Sequence, residues 1–552
     1  MRRSIDPAHV SARPVAHHRR IRAALLVGVL VVAACGDDDS NSTDETAVET
    51  SEPQSSEPGD GTTDAETSEP PAPTAPEGTG EPEGAEGSEG AEVVVGAVLE
   101  PTSLDIVHQA GAALDQILLD NIYETLLVVD ESGSVQGGLA ETHEVSADGT
   151  VYTFTLQEGV EFHHGVPLTS ADVVWSLEAL SADDAVGAED LASIASIDAP
   201  DGRTVVLTLE QPDNDLLFNL TRRAGAVLPA DATGLENTAS GTGPFLFEQW
   251  NSGTSISLGV NPLYWGKVPS ISGVTFLYFT DPNAAVNAFT TGDVDILTGV
   301  NSDLVGPLQE NPDYVVNEGT TNGEFTLGFN NSREALADRD VRLAIRQAID
   351  KEGVKELYNG FGTIIGGPVP PTDPWYEDLT DIAPFDPEAS RQLLADAGYG
   401  DGLDLVFVYP NIYPTTTAEF VASQLADVGI DVEIQTVEFS VWLEQVYTNG
   451  DYDLTAVLHV EPRDIGNYAN PDYYWHYDSP DVQQLIGDAK VAATPEAATD
   501  LLKQAARQIS EDSPVDWLLL GADLTVAHQG VTGYPLNDTA SRFDASGITV
   551  AG

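Results

Sequence analysis

The sequence is poor in cysteine and in lysine. Its 552 residues contain one Cys, Cys35, so internal disulfides and cysteine-ligated zinc sites are excluded. Five lysines stand beside 90 acidic residues, and the formal net charge is −68. A chain this acidic is a poor partner for nucleic acid or for an anionic lipid surface. The excess of acid suits either a protein that works in high salt or one that attracts cationic ligands. Because the acids are spread along the whole chain, we favour high salt.

The apolar run at 23–34 is too short to cross a bilayer as a helix. Six arginines accompany it within residues 1–34, which is typical of a signal peptide. The residues Val-Ala-Ala-Cys-Gly at 32–36 resemble a bacterial lipobox. We therefore predict cleavage before Cys35 and lipid on its thiol. The alternative is an ordinary signal peptide with an incidental cysteine.

Residues 36–91 lack aromatic residues, lysine and arginine, and they include 17 acidic residues. Such a segment cannot bury enough apolar surface to offset its conformational entropy. We expect an acidic disordered tether at 35–91, with a root-mean-square span of roughly 40 Å. A tether of that length would hold a folded domain clear of a membrane.

The stretch 137–180 predicts a strand, a turn, a second strand and a capped helix. An Ala-Asp-Gly turn signal separates two β-prone runs. In the second run, Tyr152 and Phe154 fall on the same face. Thr169 and Asp172 then suit a helix N-cap followed by an acid in the first turn.

This stretch resembles the signature of extracellular solute-binding protein family 5, the dipeptide/oligopeptide/nickel-binding family of ABC importers. It reads GGLAETHEVSADGTVYTFTLQEGVEFHHGVPLTSADV, with His143 where Trp is usual and His164 where Asp is usual. Weaker similarities run, with gaps, from Val93 to about Gly533. The resemblance implies an α/β fold of the two-lobed periplasmic-binding-protein type II, of the large three-domain kind. It also implies capture of a solute outside the cell for ABC permease subunits.

A chain of this length is expected to form two or three domains. The resemblance implies that the first lobe is discontinuous. The expected division is a lipoprotein signal peptide at 1–34, a linker at 35–91, lobe I at 92–125, 226–322 and 515–552, an inserted small domain at 126–225, and lobe II at 323–514.

The pattern over 405–460 predicts a β-α-β-α-β series, and such a series implies parallel strands with right-handed crossovers. Ligands bind beyond the carboxyl ends of parallel strands, so Glu461, Arg463 and Asp464 are expected at a cleft. In peptide-binding relatives an Asp in this region pairs with the ligand's α-amino group. The resemblance therefore assigns that role to Asp464, with Glu461 as the next candidate. The alternative is a loop ion pair between Arg463 and an acid.

Tyr473 and Trp475 belong to an aromatic cluster around His476, which could line a ligand pocket or pack in the core. His163 and His164 suggest a metal pair at first. Adjacent residues on a strand point to opposite faces, however, so we predict a structural turn there. We predict no metal site and no cofactor.

No GxSxG, HExxH or P-loop pattern is present, and 90 acids guarantee carboxylate pairs by chance. We therefore predict no catalytic residues. Two other classes stay open, a secreted acid/base hydrolase and a binding-only sensor. The favoured prediction is a monomeric solute-binding lipoprotein of an ABC importer, on the outer face of the cytoplasmic membrane. Peptides, nickel chelates, opines and sugars all stay open as solutes, with a peptide-like cationic or zwitterionic solute favoured.

We predict that Cys35→Ser releases the protein from the membrane fraction, because lipid on that thiol is the proposed anchor. Fractionation of cells followed by immunoblotting measures the shift, and Ser40→Ala in the same segment is the matched control. A Cys35→Ser protein that stayed in the membrane fraction would show that the anchor is something else.

Overall fold

The computed structural model describes residues 90–97, 100–130, 133–230, 232–539 and 541–551. The predicted signal peptide, Cys35 and nearly all of the predicted linker lie outside these residues. Within the described ranges, no helix has both the length and the apolar character needed to cross a membrane.

Eighteen strands form the sheets of the described residues. The strands are β1 (Glu92–Ala97), β2 (Leu127–Val129), β3 (Val135–Gly137), β4 (Ala140–Val145), β5 (Val151–Leu156), β6 (Ile194–Asp201), β7 (Thr204–Leu209), β8 (Phe245–Asn251), β9 (Ser255–Val260), β10 (Gly273–Tyr278), β11 (Ile296–Leu297), β12 (Tyr314–Phe329), β13 (Leu403–Pro410), β14 (Ile430–Val437), β15 (Leu454–His459), β16 (Val515–His528), β17 (Val531–Thr532) and β18 (Thr549–Val550).

Twelve α-helices accompany these strands within the described ranges. They are α1 (Ala112–Leu118), α2 (Ser170–Leu180), α3 (Leu216–Asn219), α4 (Pro282–Thr291), α5 (Ser302–Gln309), α6 (Arg339–Ala348), α7 (Lys351–Leu357), α8 (Pro387–Asp396), α9 (Thr415–Asp427), α10 (Phe439–Trp442), α11 (Pro480–Lys490) and α12 (Pro495–Asp512). A π-helical turn follows at Leu443–Thr448, and 3-10 turns lie at Ala188–Leu191, Arg223–Gly225, Thr380–Ile382 and Asp464–Ala469.

Ten strands form one continuous sheet, in the order β14-β13-β15-β12-β16-β11-β1-β10-β9-β8. β13 is parallel to both β14 and β15, which confirms the predicted parallel β-α-β-α-β series. At the other end of the sheet, β1 is parallel to β10 and β11. The sheet therefore has two halves, and the antiparallel strands β12 and β16 lie between them.

β12 and β16 run through both halves of the sheet. Residues 314–320 of β12 pair with the end of β16, whereas residues 324–328 pair with its start. The register shifts between Thr320 and Glu324, where the Thr321 hydroxyl donates to the Gly521 carbonyl. β11 attaches to the end of β16, and β15 attaches to the second part of β12. The two halves are thus joined through an irregular point, which we call the register break.

The stretch that carries the family resemblance supplies two strands, β4 and β5, of a separate four-stranded sheet ordered β4-β5-β7-β6. Tyr152 and Phe154 on β5 are buried, as the alternation predicts. The Asp172 carboxylate accepts hydrogen bonds from the Thr169 backbone N–H at 2.9 Å and from its hydroxyl at 2.7 Å. These bonds confirm the predicted capped start of α2.

A buried ion network fixes α6 and α7 against β16. The Arg346 Nε lies 3.2 Å from the Asp516 Oδ1, and the Lys351 Nζ lies 2.7 Å from the same oxygen. Arg346 also donates to the Ser510 and Gly366 carbonyls. The side chains of Arg346 and Asp516 are 1% and 0% exposed. The buried carboxylate of Asp516 therefore has two cations beside it, and its negative charge is compensated within the fold.

We predict that Arg346→Met lowers the free energy of unfolding by about 3–5 kcal/mol, because it removes one partner of a buried ion network. Arg339→Met on the same helix is the control, since its ion pair with Asp340 is half exposed and should contribute at most about 1 kcal/mol. Urea unfolding of both variants measures the difference. Equal stability changes in the two variants would contradict the prediction.

Candidate functional site

A cavity of about 290 Å³ lies where the two halves of the sheet meet. One wall comes from α1 and from residues just before the 3-10 turn at Arg223–Gly225. A further part of the lining comes from the chain that leaves the carboxyl end of β15, including Glu461. The register break, at 321–323, and the C-terminal segment, at 535–543, also contribute. The parallel strand order thus brings the segment after β15 to a cleft.

Asp464 lies beside this cavity as the first residue of a 3-10 turn, with its side chain 8% exposed. Its Oδ2 is 3.6 Å from the Nδ1 of His459. His459 on β15 stands directly across from Glu324 on β12, and Glu324 is 3% exposed. The pairing of two strands that are far apart in sequence therefore places a second buried acid near Asp464.

Four acids form what we call the acidic cluster: Glu324, Asp373, Glu461 and Asp464. Burial, together with the charges of Glu461 and Asp373, raises the pKa of Asp464 from 3.8 to about 8. Burial also holds the pKa of Glu324 well above its ordinary value, with Asp464 and Asp373 adding to the effect. Glu461 is solvent-accessible, but it lies within the cavity lining. The surrounding protein partly desolvates its carboxylate and so raises its pKa.

Few positive charges balance this cluster. Burial lowers the pKa of His459 to about 4, so its ring is neutral near pH 7. Burial raises the pKa of Asp373 to about 6, and Arg463 partly opposes that rise. Among the described residues, no Lys or Arg nitrogen lies within 4.0 Å of the Glu324, Glu461 or Asp464 carboxylates. The cluster must therefore hold protons or bind a cation.

Arg463 faces away from Asp464. Its guanidinium carbon lies 3.5 Å from the ring centre of Phe218 and 4.7 Å from that of Trp375. Its Nε is 3.9 Å from the Asp373 Oδ1. The backbone of Arg463 is left-handed, with φ of 59°, a conformation that non-glycine residues rarely adopt. These contacts match the loop ion pair that the sequence left open, with Asp373 as the acid.

The two aromatic candidates pack behind the cavity. Trp475 is 1% exposed, and its ring centre lies 4.5 Å from Tyr468 and 4.7 Å from Tyr473. Tyr473 is half-buried, with its ring centre 6.4 Å from that of His459. Neither ring lines the cavity. The placement of Trp475 favours the core role that the sequence left open.

One set of donors could hold a metal ion. Donor atoms of His459, Glu461 and Asp464 all lie within 4.8 Å of one another. The Nε2 of His459 is 2.9 Å from the Tyr474 hydroxyl, the kind of contact that orients a ligating imidazole. An imidazole with two carboxylates suits a divalent transition metal. The same carboxylates suit an ammonium group equally well.

The other candidate metal residues have structural partners. The Nε2 of His163 is 3.1 Å from the Gly243 carbonyl, and its Nδ1 accepts from the Gly241 N–H at 3.3 Å. Burial lowers the pKa of His163 to about 4. Residues 163 and 164 form a turn, as the sequence predicts.

Sequence reasoning missed the charged residues that line the cavity or lie next to it, apart from those after β15. The Arg223 Nη2 lies 2.6 Å from the Asp115 carboxylate, and the Arg542 Nη1 lies 3.2 Å from that of Asp120. Arg222 also lines the cavity. One signal was available, because Arg222 and Arg223 are the only adjacent arginines in the sequence after residue 34.

Comparisons with known proteins agree on one family. The family model described as bacterial extracellular solute-binding proteins, family 5 Middle, matches residues 134–480. The oligopeptide-binding protein AppA of Bacillus subtilis (strain 168) is 26% identical over 487 residues, which cover 81% of this chain and 89% of AppA. The glutathione-binding protein GsiB of Salmonella typhi is 26% identical over 485 residues, covering 82% of this chain and 94% of GsiB.

A solved structure shows the same fold. The ABC transporter-associated periplasmic binding protein DppA from Helicobacter pylori, in complex with the peptide STSA, superposes with a TM-score of 0.68 at 23% identity. The match covers 84% of this chain and 98% of DppA. The predicted two-lobed periplasmic-binding-protein fold of the large, multi-domain kind is therefore confirmed. The chain belongs to the bacterial extracellular solute-binding proteins of family 5.

Proposed function

We propose that this protein binds a peptide-like solute between its two lobes outside the cell and delivers it to the permease of an ABC importer. Family membership confirms the prediction of a binding protein rather than an enzyme. The names of AppA, an oligopeptide-binding protein, and GsiB, a glutathione-binding protein, support a peptide-like solute. The observation that carries the proposal is the buried Asp464 beside the cavity, since no Lys or Arg nitrogen of the described residues lies within 4.0 Å of its carboxylate.

The proposed anchor is an ion pair between Asp464 and the ammonium group of the solute. An ammonium group that entered from the cavity would first meet the accessible carboxylate of Glu461 and then the buried carboxylate of Asp464. It would take the place of the proton that burial imposes on Asp464. A desolvated carboxylate gains most from a cation that donates hydrogen bonds to it.

The proposed lobe boundaries are those expected from the sequence. The order of the main sheet supports them, because β1 and β8–β11 lie on one side of the β12–β16 pair and β13–β15 lie on the other. The separate sheet β4-β5-β7-β6 lies within 126–225, the proposed inserted domain. We propose further that the mature protein is a monomer, tethered through 35–91 to lipid on Cys35 at the outer face of the cytoplasmic membrane.

We predict that Asp464→Asn lowers the affinity for an amine-bearing peptide by about 10²-fold or more, since losing one partner of a buried charge pair costs several kcal/mol and each 1.4 kcal/mol is tenfold. Calorimetry would use the best-binding member of a set of di- to hexapeptides and its N-acetylated form. The acetylated peptide should bind both proteins weakly.

Asp472→Asn is the matched control, because Asp472 is exposed in the same loop. It should bind as the wild type does. Equal affinities of wild type and Asp464→Asn for the free amine would reject Asp464 as the anchor, and Glu461→Gln would then be the variant to measure.

We predict that affinity for the amine-bearing peptide rises with pH between about 5 and 7, by up to about tenfold per pH unit. The pKa of Asp464 is about 8 in the free protein, so most Asp464 is protonated over this range. Ammonium binding lowers that pKa, so the complex holds fewer protons and higher pH favours it. Calorimetry in buffers of different ionisation enthalpy should detect proton release. A pH-independent affinity in the wild type would contradict the mechanism, and Asp464→Asn should show a much flatter profile.

A further inference from the structure

Arg222 differs from every other arginine in the described ranges. The other ten each donate at least one hydrogen bond, whereas the guanidinium of Arg222 donates none and forms no ion pair within 4.0 Å. The ten are Arg203, Arg223, Arg333, Arg339, Arg342, Arg346, Arg391, Arg463, Arg507 and Arg542. Arg222 is nevertheless half-buried and lines the cavity between the lobes.

The local backbone explains why Arg222 and its neighbour have different partners. Arg222 is extended, with φ of −111° and ψ of −166°, just before the 3-10 turn at Arg223–Gly225. Consecutive side chains diverge where the backbone is extended. Arg223 binds Asp115 through two nitrogens, at 2.9 and 2.6 Å. Arg222 is left on the cavity wall without that partner.

The acids around Arg222 act on it only at a distance. Burial lowers its pKa, and the charges of Asp190, Asp115 and Glu461 oppose that change. Asp115 is already bonded to Arg223, and Glu461, which also lines the cavity, forms no ion pair with Arg222 within 4.0 Å. A guanidinium stays charged at any physiological pH. A largely desolvated guanidinium without a partner calls for an anion.

The rest of the cavity would repel an anion. Asp523 and Asp538 line it near the register break, and burial together with the charge of Asp538 raises the pKa of Asp523 to about 6. Arg542 also lines the cavity, but its guanidinium is bonded to Asp120. Within the described part of the chain, Arg222 is therefore the unpaired cation of the cavity.

We propose that Arg222 binds a carboxylate of the solute. A planar guanidinium pairs with a carboxylate through two parallel hydrogen bonds, which gives both strength and orientation. The inference rests on the proposed function and narrows it. The solute is a zwitterion whose ammonium group lies at Asp464 and whose carboxylate lies at Arg222. One peptide orientation is thereby selected over the reverse.

The test compares the best-binding member of a di- to hexapeptide set with its C-terminal amide and with its N-acetyl form. Calorimetry with wild type should give at least tenfold tighter binding of the free acid than of the amide. In Arg222→Gln that ratio should fall to about one, while the loss caused by N-acetylation stays as large as in wild type. Arg222→Lys should restore part of the preference for the acid.

Arg391→Gln is the matched control, because Arg391 is exposed and donates only to a backbone carbonyl. It should keep the wild-type ratio. Circular dichroism and the thermal midpoint would verify that each variant is folded. If Arg222→Gln does not fold, the ratio in the wild type and in Arg222→Lys decides the question.

Three outcomes would overturn the inference. Equal binding of acid and amide by wild type, with N-acetylation still harmful, would reject the role of Arg222 and leave the proposed function intact. Equal losses for acid and amide in Arg222→Gln, reversed by adding Glu461→Gln, would show that Arg222 pairs with Glu461 across the cavity. A failure of wild type to bind any peptide of the set would reject the proposed function together with the inference.

Discussion

The antiparallel pairing of β12 with β16 is the constraint on which the rest of the structure depends. Each strand supplies one part to each half of the sheet, so both halves are built on the same pair. The C-terminal segment crosses the register break, where the Asp538 N–H donates to the Thr320 carbonyl and the Thr320 N–H donates to the Asn537 side chain. The cavity lies at this crossing because it is where the two halves meet.

Buried charge serves two different purposes in this protein. In the network of Arg346, Lys351 and Asp516, a fully buried carboxylate has two cations beside it. Among the described residues, the carboxylate of Asp464 and the guanidinium of Arg222 have no such partner, and both adjoin the cavity. A network that contains its own counter-charges stabilises the fold. Charged groups without counter-charges can instead pair with the opposite charges of a solute. The presence or absence of a counter-charge therefore distinguishes structural from functional charged groups. Acidic residues alone could not do so, because they are so common in this chain.

Local patterns predicted much of the fold. The alternation at Tyr152 and Phe154, the cap formed by Thr169 and Asp172, and the parallel series after Leu403 all depend on short-range spacing. The same rules placed the segment after β15 at a cleft. They could not find Glu324, whose position beside Asp464 depends on its pairing with His459, 135 residues later in the chain. The unpaired state of Arg222 likewise depends on Asp115 being bonded to Arg223, a long-range fact that no local pattern contains.

The late position of β16 has a consequence for how the chain folds. β16 pairs with β11 in one half and with β12 along both halves. Neither half can be completed before the chain has been made past Val515, where β16 begins. Until that strand arrives, the edges of β11 and β12 that it will cover have no partner, and unpaired edges invite association between chains. Contacts of such high sequence separation make folding slow. Both halves of the sheet therefore stay incomplete during translation until β16 has been made, and loss of β16 would disrupt both halves at once.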